Sequence, residues 1–231
     1  MPDLSQTSPA AFNCQGGLVL NRSTFMMQPG EALELENFEP DIQGGYRRIN
    51  GFSKYVDAVV PQTASSSEPV LMVATFGDKV LAARGTSIFS ADPAGSSWTS
   101  IDSGRTSAGT YAFERYNFDG NDKIIFVDGA NAPTFFNTSL SATDVSNSDV
   151  SGSKFVAAFK SHMFYAGKSS APQTLVFSQP FDEDAFSSGS GAGSIKVDDT
   201  ITGLKVFRDN LFIFCENRIF KLSGSTSSDF A

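Results

Sequence analysis

Three stretches of one pattern decide the fold: FGDKVLAA from Phe76 to Ala83, FKSHMFYA from Phe159 to Ala166, and FRDNLFIF from Phe207 to Phe214. Each opens on a phenylalanine, passes three mostly polar residues and resumes an apolar run. FDGNDKIIFV, from Phe118 to Val127, is the same unit with two extra turn residues. Short runs of β-branched and aromatic residues, bounded by Gly, Asp, Asn and Ser, read as strands joined by tight turns. A helix over LKVFRDNLFIF is the alternative in the last copy. There the Arg208-Asp209-Asn210 insertion reads better as a hairpin turn.

The pattern extends outward from these hairpins. VLMVATF leads into Phe76, and a further strand follows each unit, ending at Phe89, Phe136, Phe177 and Phe220. The anchors Phe76, Phe118, Phe159 and Phe207 are 42, 41 and 48 positions apart. SSGSGAGS, Ser187 to Ser194, is a flexible insertion that accounts for the longer interval. Fourth strands are expected at Trp98 to Asp102, at Ile195 to Asp198 and, more weakly, after Leu140. Four strands per repeat of roughly 40–45 residues is the period of a propeller blade, in which neighbouring sheets cover each other's faces. A β-sandwich is the rival, but it does not require equally spaced anchors. The expected fold is therefore all-β and β-propeller-like, with four-stranded blades over residues 70–231 and blade-core positions at Phe76, Phe118, Phe159 and Phe207.

The last blade is incomplete by this count. Either Ile49 to Val56 completes it, or the natural chain continues beyond Ala231; the abrupt stop after SSDFA favours continuation.

Composition narrows the function. The 231 residues carry 17 basic and 25 acidic side chains, a net charge of −8, and 22 phenylalanines. So aromatic a chain with so little charge is not disordered as a whole. No stretch approaches the roughly 20 apolar residues of a membrane-spanning helix. Broad binding to nucleic-acid phosphates is disfavoured by the acidity. Cys14 and Cys215 lie too far apart in sequence for a compact disulfide framework and read as free thiols. The N-terminus has no signal-peptide pattern.

Chemistry-bearing motifs are sparse. The single histidine, His162, has no second His or paired Cys for a metal and no triad partners at useful spacing, so it reads as a hairpin residue. The glycines of SGSGAGS lack the helix a phosphate loop needs. Asp182, Glu183 and Asp184, with Asp198 and Asp199, are the acids a glycoside hydrolase would draw on; Asp119 to Asp122 hint at a calcium loop without its full pattern. Solvated turn acids are the plainer reading. The chain is expected to be no enzyme and to hold no cofactor or metal.

Residues 1–55 differ from the rest and read as an N-terminal arm. Gly-Gly pairs at 16–17 and 44–45 and a Pro29-Gly30 turn flank the acidic run EALELENFEPD, Glu31 to Asp41, which suits a short helix stopped by Pro40. Tyr46, Arg47, Arg48 and Phe52 then form an aromatic and basic strand-like segment. Gly16, Gly17, Tyr46, Arg47, Arg48 and Phe52 are the candidate subunit-interface residues. PQTASSSEP, 61–69, is a polar linker.

The opening GGLVLNRSTFMMQPGEALELENFEPDIQGGYRRINGFSKY, 16–55, resembles that of bacteriophage tail proteins of the nozzle or tubular type. The likeness lies in Gly16-Gly17, Pro29, Asn37 and Gly45 leading into Arg47-Arg48. LVFSQPFDEDAF and ITGLKVFRDNLFIFCENRIFKLSG are similar to propeller segments of phage virion proteins. The resemblance implies a tail subunit of a short-tailed phage, assembled in the host cytoplasm into a ring, usually sixfold, against other tail and adapter proteins. DNA would leave through the channel without specific binding, and an acidic wall would repel its phosphates. No catalytic residues come with the family. Its members are much longer than this chain. The alternatives are a propeller adhesin for a receptor or glycan and, less favoured, a propeller glycoside hydrolase.

Overall fold

The computed structural model describes residues 16–42, 45–63, 68–93, 95–107 and 109–230. The chain divides into two units, Met1–Ser53 and Lys54–Ala231.

The first unit has little regular structure. Strand β1 (Gly17–Leu18) pairs in parallel with β2 (Glu31–Ala32), and β3 (Phe38–Pro40) pairs antiparallel with β4 (Tyr46–Arg48). The acidic run expected to be helical instead supplies β2 and β3. Asn37 takes a left-handed φ of 62°, which no helix accommodates, and Leu33 and Leu35 alternate with Glu34 and Glu36 at a strand's period. Glycine is needed at position 16, where a Cβ would stand 2.5 Å from the Glu31 side chain.

The second unit is a series of antiparallel meanders. The first sheet runs β5 (Val70–Phe76), β6 (Lys79–Arg84), β7 (Ser87–Ala91), β8 (Thr99–Asp102). The second contains β9 (Ala112–Tyr116), β10 (Lys123–Val127), β11 (Thr134–Asn137) and β12 (Ala142–Asp144). The third contains β13 (Phe155–Phe159), β14 (His162–Ala166), β15 (Thr174–Phe177) and β16 (Gly193–Lys196). The fourth has three strands: β17 (Ile201–Phe207), β18 (Asn210–Cys215) and β19 (Ile219–Leu222). Among the described residues of 49–56 there is no strand, so that segment does not complete the fourth sheet as a strand.

Successive sheets bury one core between each pair, and strand alternation explains the continuous apolar runs. In KIIFV, Ile124 and Phe126 pack with Leu81, Ile88 and Phe76 of the first sheet. Ile125 and Val127 point the other way, to Met163 and Tyr165 of the third. In HMFYA, Phe164 and Ala166 pack with Leu211 and Ile213 of the fourth sheet. A strand covered on both faces needs no polar residues, hence runs without hydrophilic alternation.

The repeat pattern needs one adjustment. Phe76, Phe159 and Phe207 lie opposite Lys79, His162 and Asn210 across tight turns. In the second sheet the residue so placed, opposite Lys123, is Tyr116 rather than Phe118. Six residues, 117–122, separate Tyr116 from Lys123, four more than in the other hairpins, so Phe118 lies in the loop, where its ring packs 4.9 Å from that of Tyr116. Phe76 and Phe159 are buried, as is Tyr116; Phe207 is 60% exposed and fills no core in the chain as it stands.

The two stretches that read as linkers are tied down where they are described; residues 64–67 of the first, 61–69, lie outside the described residues. Segment 57–63 covers the first sheet: the Trp98 indole donates to the Ala58 carbonyl at 2.9 Å, Arg84 reaches the Val60 carbonyl, and the Thr86 amide donates to Thr63 Oγ1 at 3.0 Å. Arg84 also donates to the Glu68 carbonyl at 2.9 Å. SSGSGAGS holds a 3₁₀ turn at Ser188–Ser190, then Gly191 in the left-handed region, and its end begins β16. Gly193 is required there, because a Cβ would come within 2.8 Å of the buried Phe177 ring. No helix among the described residues is long and apolar enough to cross a membrane.

Candidate functional site

The carboxylates singled out as catalytic candidates hold the framework together. Asp182 accepts from the Asp184 amide at 3.0 Å, and Asp184 from the Ser146 amide at 3.0 Å. Glu183 is buried and pairs with Lys123 of β10 at 2.9 Å, clipping the loop after β15 to the second sheet. Tyr165 strengthens the clip by donating to the Glu183 carbonyl at 2.8 Å. Burial, with the Glu183 charge nearby, holds the phenols of both Tyr116 and Tyr165 far above their usual range. Asp198 pairs with Arg218. Asp199 accepts from the Thr200 and Asn217 amides, each at 2.8 Å, and those hydrogen bonds lower its pKa.

The hinted calcium loop is also self-satisfied. Asp119 accepts from the Asn121 amide at 3.1 Å and pairs with Lys123 at 3.3 Å, while Asp122 accepts from Asn117 at 3.0 Å. His162 is buried in the core between the third and fourth sheets. Its Nδ1–H donates to the Ser178 carbonyl at 2.6 Å, and its ring meets Phe164, Phe177 and Phe230 edge-on. Among the described residues Cys215 is free; the pairing of Cys14 lies outside them.

One buried polar network was not legible in the sequence. Arg105, just after β8, sends Nη1 to Asp102 at 2.8 Å and to Thr134 Oγ1 at 2.7 Å, and Nη2 to Asp128 at 2.8 Å. Thr134 donates its hydroxyl to Asp144 Oδ1 at 2.6 Å. Burial opposes the charge on Arg105, but Asp128 and Asp102 outweigh it and its pKa is raised. Burial likewise opposes the Asp128 charge. The Asn131 amide and the guanidinium prevail, and its pKa is lowered. A buried pair so fully hydrogen-bonded links the first sheet to the second and gives register more than net stability. Its members are separated by 23 and 29 positions, so no local motif announces them.

Two surfaces among the described residues are candidates for a partner. The first is a cleft of about 460 Å³ beside the third sheet, lined by Asn147, Asp149, Lys168, Thr174, Phe186 and Ser194 among others. Its position depends on the ordered turn at 187–191, which the sequence presents as a flexible insertion.

The second is the arm. Of its described residues only Gly30 is buried, and Phe25, Ile42 and Phe52 are almost wholly exposed. The candidate interface residues divide accordingly. Gly16 donates its amide to the Gly30 carbonyl at 3.1 Å, and Gly17 holds a left-handed φ in β1. Tyr46 donates its hydroxyl to the same carbonyl at 2.8 Å and meets the Phe38 ring edge-on. Arg47 pairs with Glu39 at 2.9 Å. Arg48 and Phe52 face solvent.

These features define an all-β, propeller-like protein, and solved structures agree. The chain is similar to the crystal structure of the computationally designed Ika4 protein, with a TM-score of 0.50 at 9% identity over 74% of this chain and 98% of that one. It is also similar to YCF48 bound to a D1 peptide, with a TM-score of 0.50 at 10% identity over 75% of this chain and 55% of the other, so it spans about half of YCF48. At such identities the likeness concerns the fold alone. No family model matches the chain, and no curated protein matches it either.

Proposed function

We propose that the protein is a passive structural subunit of a larger assembly, of the kind its N-terminal segment resembles: a tail nozzle or tail-hub component of a short-tailed phage. The observation that carries this reading is the arm. It exposes Leu20, Phe25, Met26, Ile42 and Phe52 and buries none of its described apolar side chains. Two-stranded ladders of two or three residue pairs do not hold such a segment by themselves. A segment of this composition gains stability by docking, and repetition of the contact around a ring multiplies its strength. The body supports the same reading, since the acids that stand out in its sequence, Asp182 to Asp184 with Asp198 and Asp199, are engaged by backbone amides and ion pairs. In this reading the subunits form a homo-oligomeric ring, sixfold in the family it resembles, with adapter proteins as neighbours and DNA passing without specific contacts.

Mass measurement of the full chain beside a variant lacking residues 1–45 tests this. The full chain is expected as a closed oligomer, and the shortened chain as a monomer with an unchanged melting temperature. An equally sized assembly without the arm would refute the reading.

A second reading, a binding propeller for a glycan or other surface ligand, draws on the cleft beside Phe186. Its volume falls in the range of small-ligand sites, and it mixes an aromatic ring with amide, hydroxyl and charged groups. Retention on immobilised polysaccharide that is lost in Phe186→Ser would favour that reading instead.

A further inference from the structure

The cleft beside the third sheet gathers polar groups that the fold does not use. Thr174 of β15 and Ser194 of β16 stand on the face that turns toward the second sheet. Between them lies Val176, whose side chain joins the core shared by those two sheets. Phe186 packs on the same core, its ring 5.9 Å from that of Tyr165. The loop after β12 supplies Asn147 and Asp149, and the loop after β14 supplies Lys168. The walls therefore come from two neighbouring sheets and their loops, all within residues 147–194.

These groups contrast with the satisfied acids of residues 182–184. Asn147 Oδ1 accepts from the Asp149 amide at 2.7 Å. Asn147 Nδ2, the Asp149 carboxylate and the Thr174 and Ser194 hydroxyls have no hydrogen-bond or ion-pair partner among the described residues. Lys168 donates to the Ser148 carbonyl, which holds its half-buried ammonium in place and leaves two N–H groups with no acid to meet. Asp149 and Lys168 do not close on each other, so both charges stay available to a third group. The other large cleft, about 670 Å³ on the first sheet, lacks these features. Its cation, Lys79, pairs with Asp92, and no aromatic ring lines it among the described residues.

Unused donors and acceptors restrict the ligand. An amide, a carboxylate and two hydroxyls suit a ring that carries several hydroxyls of its own, and the apolar floor of Val176 and Phe186 suits the C–H face of such a ring. A purely apolar ligand would desolvate those groups and pair none of them, which is costly. A phosphate calls for more than one cation and would meet the Asp149 charge. Lys168 adds a further selection. Its restrained ammonium favours a carboxylate on the ligand, while Asp149, exposed at the edge, accepts from ring hydroxyls. We propose that the cleft binds one acidic sugar ring, a pyranose bearing a carboxylate. The carboxylate lies on Lys168, the hydroxyls on Asn147, Asp149, Thr174 and Ser194, and the C–H face on Phe186. This rests on the reading of the cleft as a ligand site, is independent of the arm, and adds the class of ligand.

The test is a ligand-observed NMR titration of the full-length protein. The probes are the methyl glycosides of glucuronic, galacturonic and sialic acid, each beside its own carboxamide, which keeps the shape and removes the charge. At least one acid should bind about tenfold more tightly than its carboxamide, the scale of a charge-assisted hydrogen bond. Lys168→Gln should erase that preference at an unchanged melting temperature, Lys168→Arg should keep most of it, and Thr174→Val should weaken acid and carboxamide alike. Tighter binding of an oligosaccharide ending in the preferred acid would support the proposal with a glycan chain as the source; equal binding would support it with the free sugar. Equal binding of every acid and its carboxamide, or a preference that survives Lys168→Gln, would overturn the acidic class and leave the cleft a sugar site. Methyl glucosaminide bound more tightly than the acids, and released by Asp149→Asn, would overturn it in favour of the opposite charge. Binding of none of these probes would overturn both the class and the reading of the cleft as a ligand site.

Discussion

Truncating the four turn-anchor rings one at a time separates the two faces of this architecture. Phe76 and Phe159 are 3% and 4% exposed, each between two sheets, while Phe207 holds the corresponding place with no sheet beyond it among the described residues. Burying a phenylalanine contributes about 1.5–3 kcal/mol, and the cavity left by alanine brings the loss to about 3–5 kcal/mol. Phe76→Ala, Phe159→Ala and, by register, Tyr116→Ala should each fall in that range. Phe207 keeps two-fifths of its contact and leaves no enclosed void, so Phe207→Ala should cost about 1 kcal/mol in the monomer. Phe118→Ala should lie between, because its ring is only partly buried. Urea unfolding followed by the fluorescence of the single Trp98 and by circular dichroism measures all five. The reasoning fails if Phe207→Ala costs as much as Phe76→Ala, or if Phe76→Ala and Phe159→Ala both cost under 1 kcal/mol.

Two further substitutions probe the interior. Asp128 has a lowered pKa, so the unfolded chain binds its proton first. Its contribution is present above the unfolded carboxylate pKa, near 4, and is lost as pH falls through the lower folded value. Asp128→Asn should destabilise by about 3 kcal/mol at neutral pH, since it leaves Arg105 undercompensated, and its stability curve should approach that of the unaltered protein at low pH. A constant gap at every pH, measured by thermal unfolding, would show that the charge of Asp128 is not what matters. Gly193→Ala drives a methyl group to within 2.8 Å of the Phe177 ring, which the core does not let swing aside; a loss of about 1–3 kcal/mol is expected, and an unchanged melting temperature would mean the loop gives way.

The hairpins were readable because their signal is local. A two-residue turn between apolar runs identifies itself in eight residues, and the absence of alternation in KIIFV and HMFYA is what burial on both faces produces. Equating Phe118 with the other anchors followed letter identity. The register turns on the length of the turn, and a loop of six residues in place of two puts Tyr116 in that position. The start of the 61–69 segment looks like a linker because the partners of Thr63 and of the preceding Val60, Thr86 and Arg84, lie more than 20 residues along the chain, while SSGSGAGS closes on itself through amide bonds to Ser187 and Ser188; no periodicity records either. Arg105 was equally hidden: nothing in the residues around it signals Asp128 or Thr134. The acidic run favours a helix through its glutamates and leucines, while the left-handed Asn37 decides against one.

The candidate site was less legible still. Exposure of Phe25, Ile42 and Phe52 depends on what the arm fails to bury, a property of the folded chain. The acids of the DED loop drew notice by clustering in sequence, yet folding sends Glu183 to Lys123 and Asp184 to Ser146.

Hydrogen exchange on the assembled protein against its dilute monomer puts the central idea, a rigid stack of sheets joined through an adhesive arm, to the most direct trial. Amides of residues 16–53 should slow markedly on assembly, while those of β10 and β14, already enclosed, should not change. Equal exchange of the arm in both states, or protection gained instead inside the second and third sheets, would contradict it.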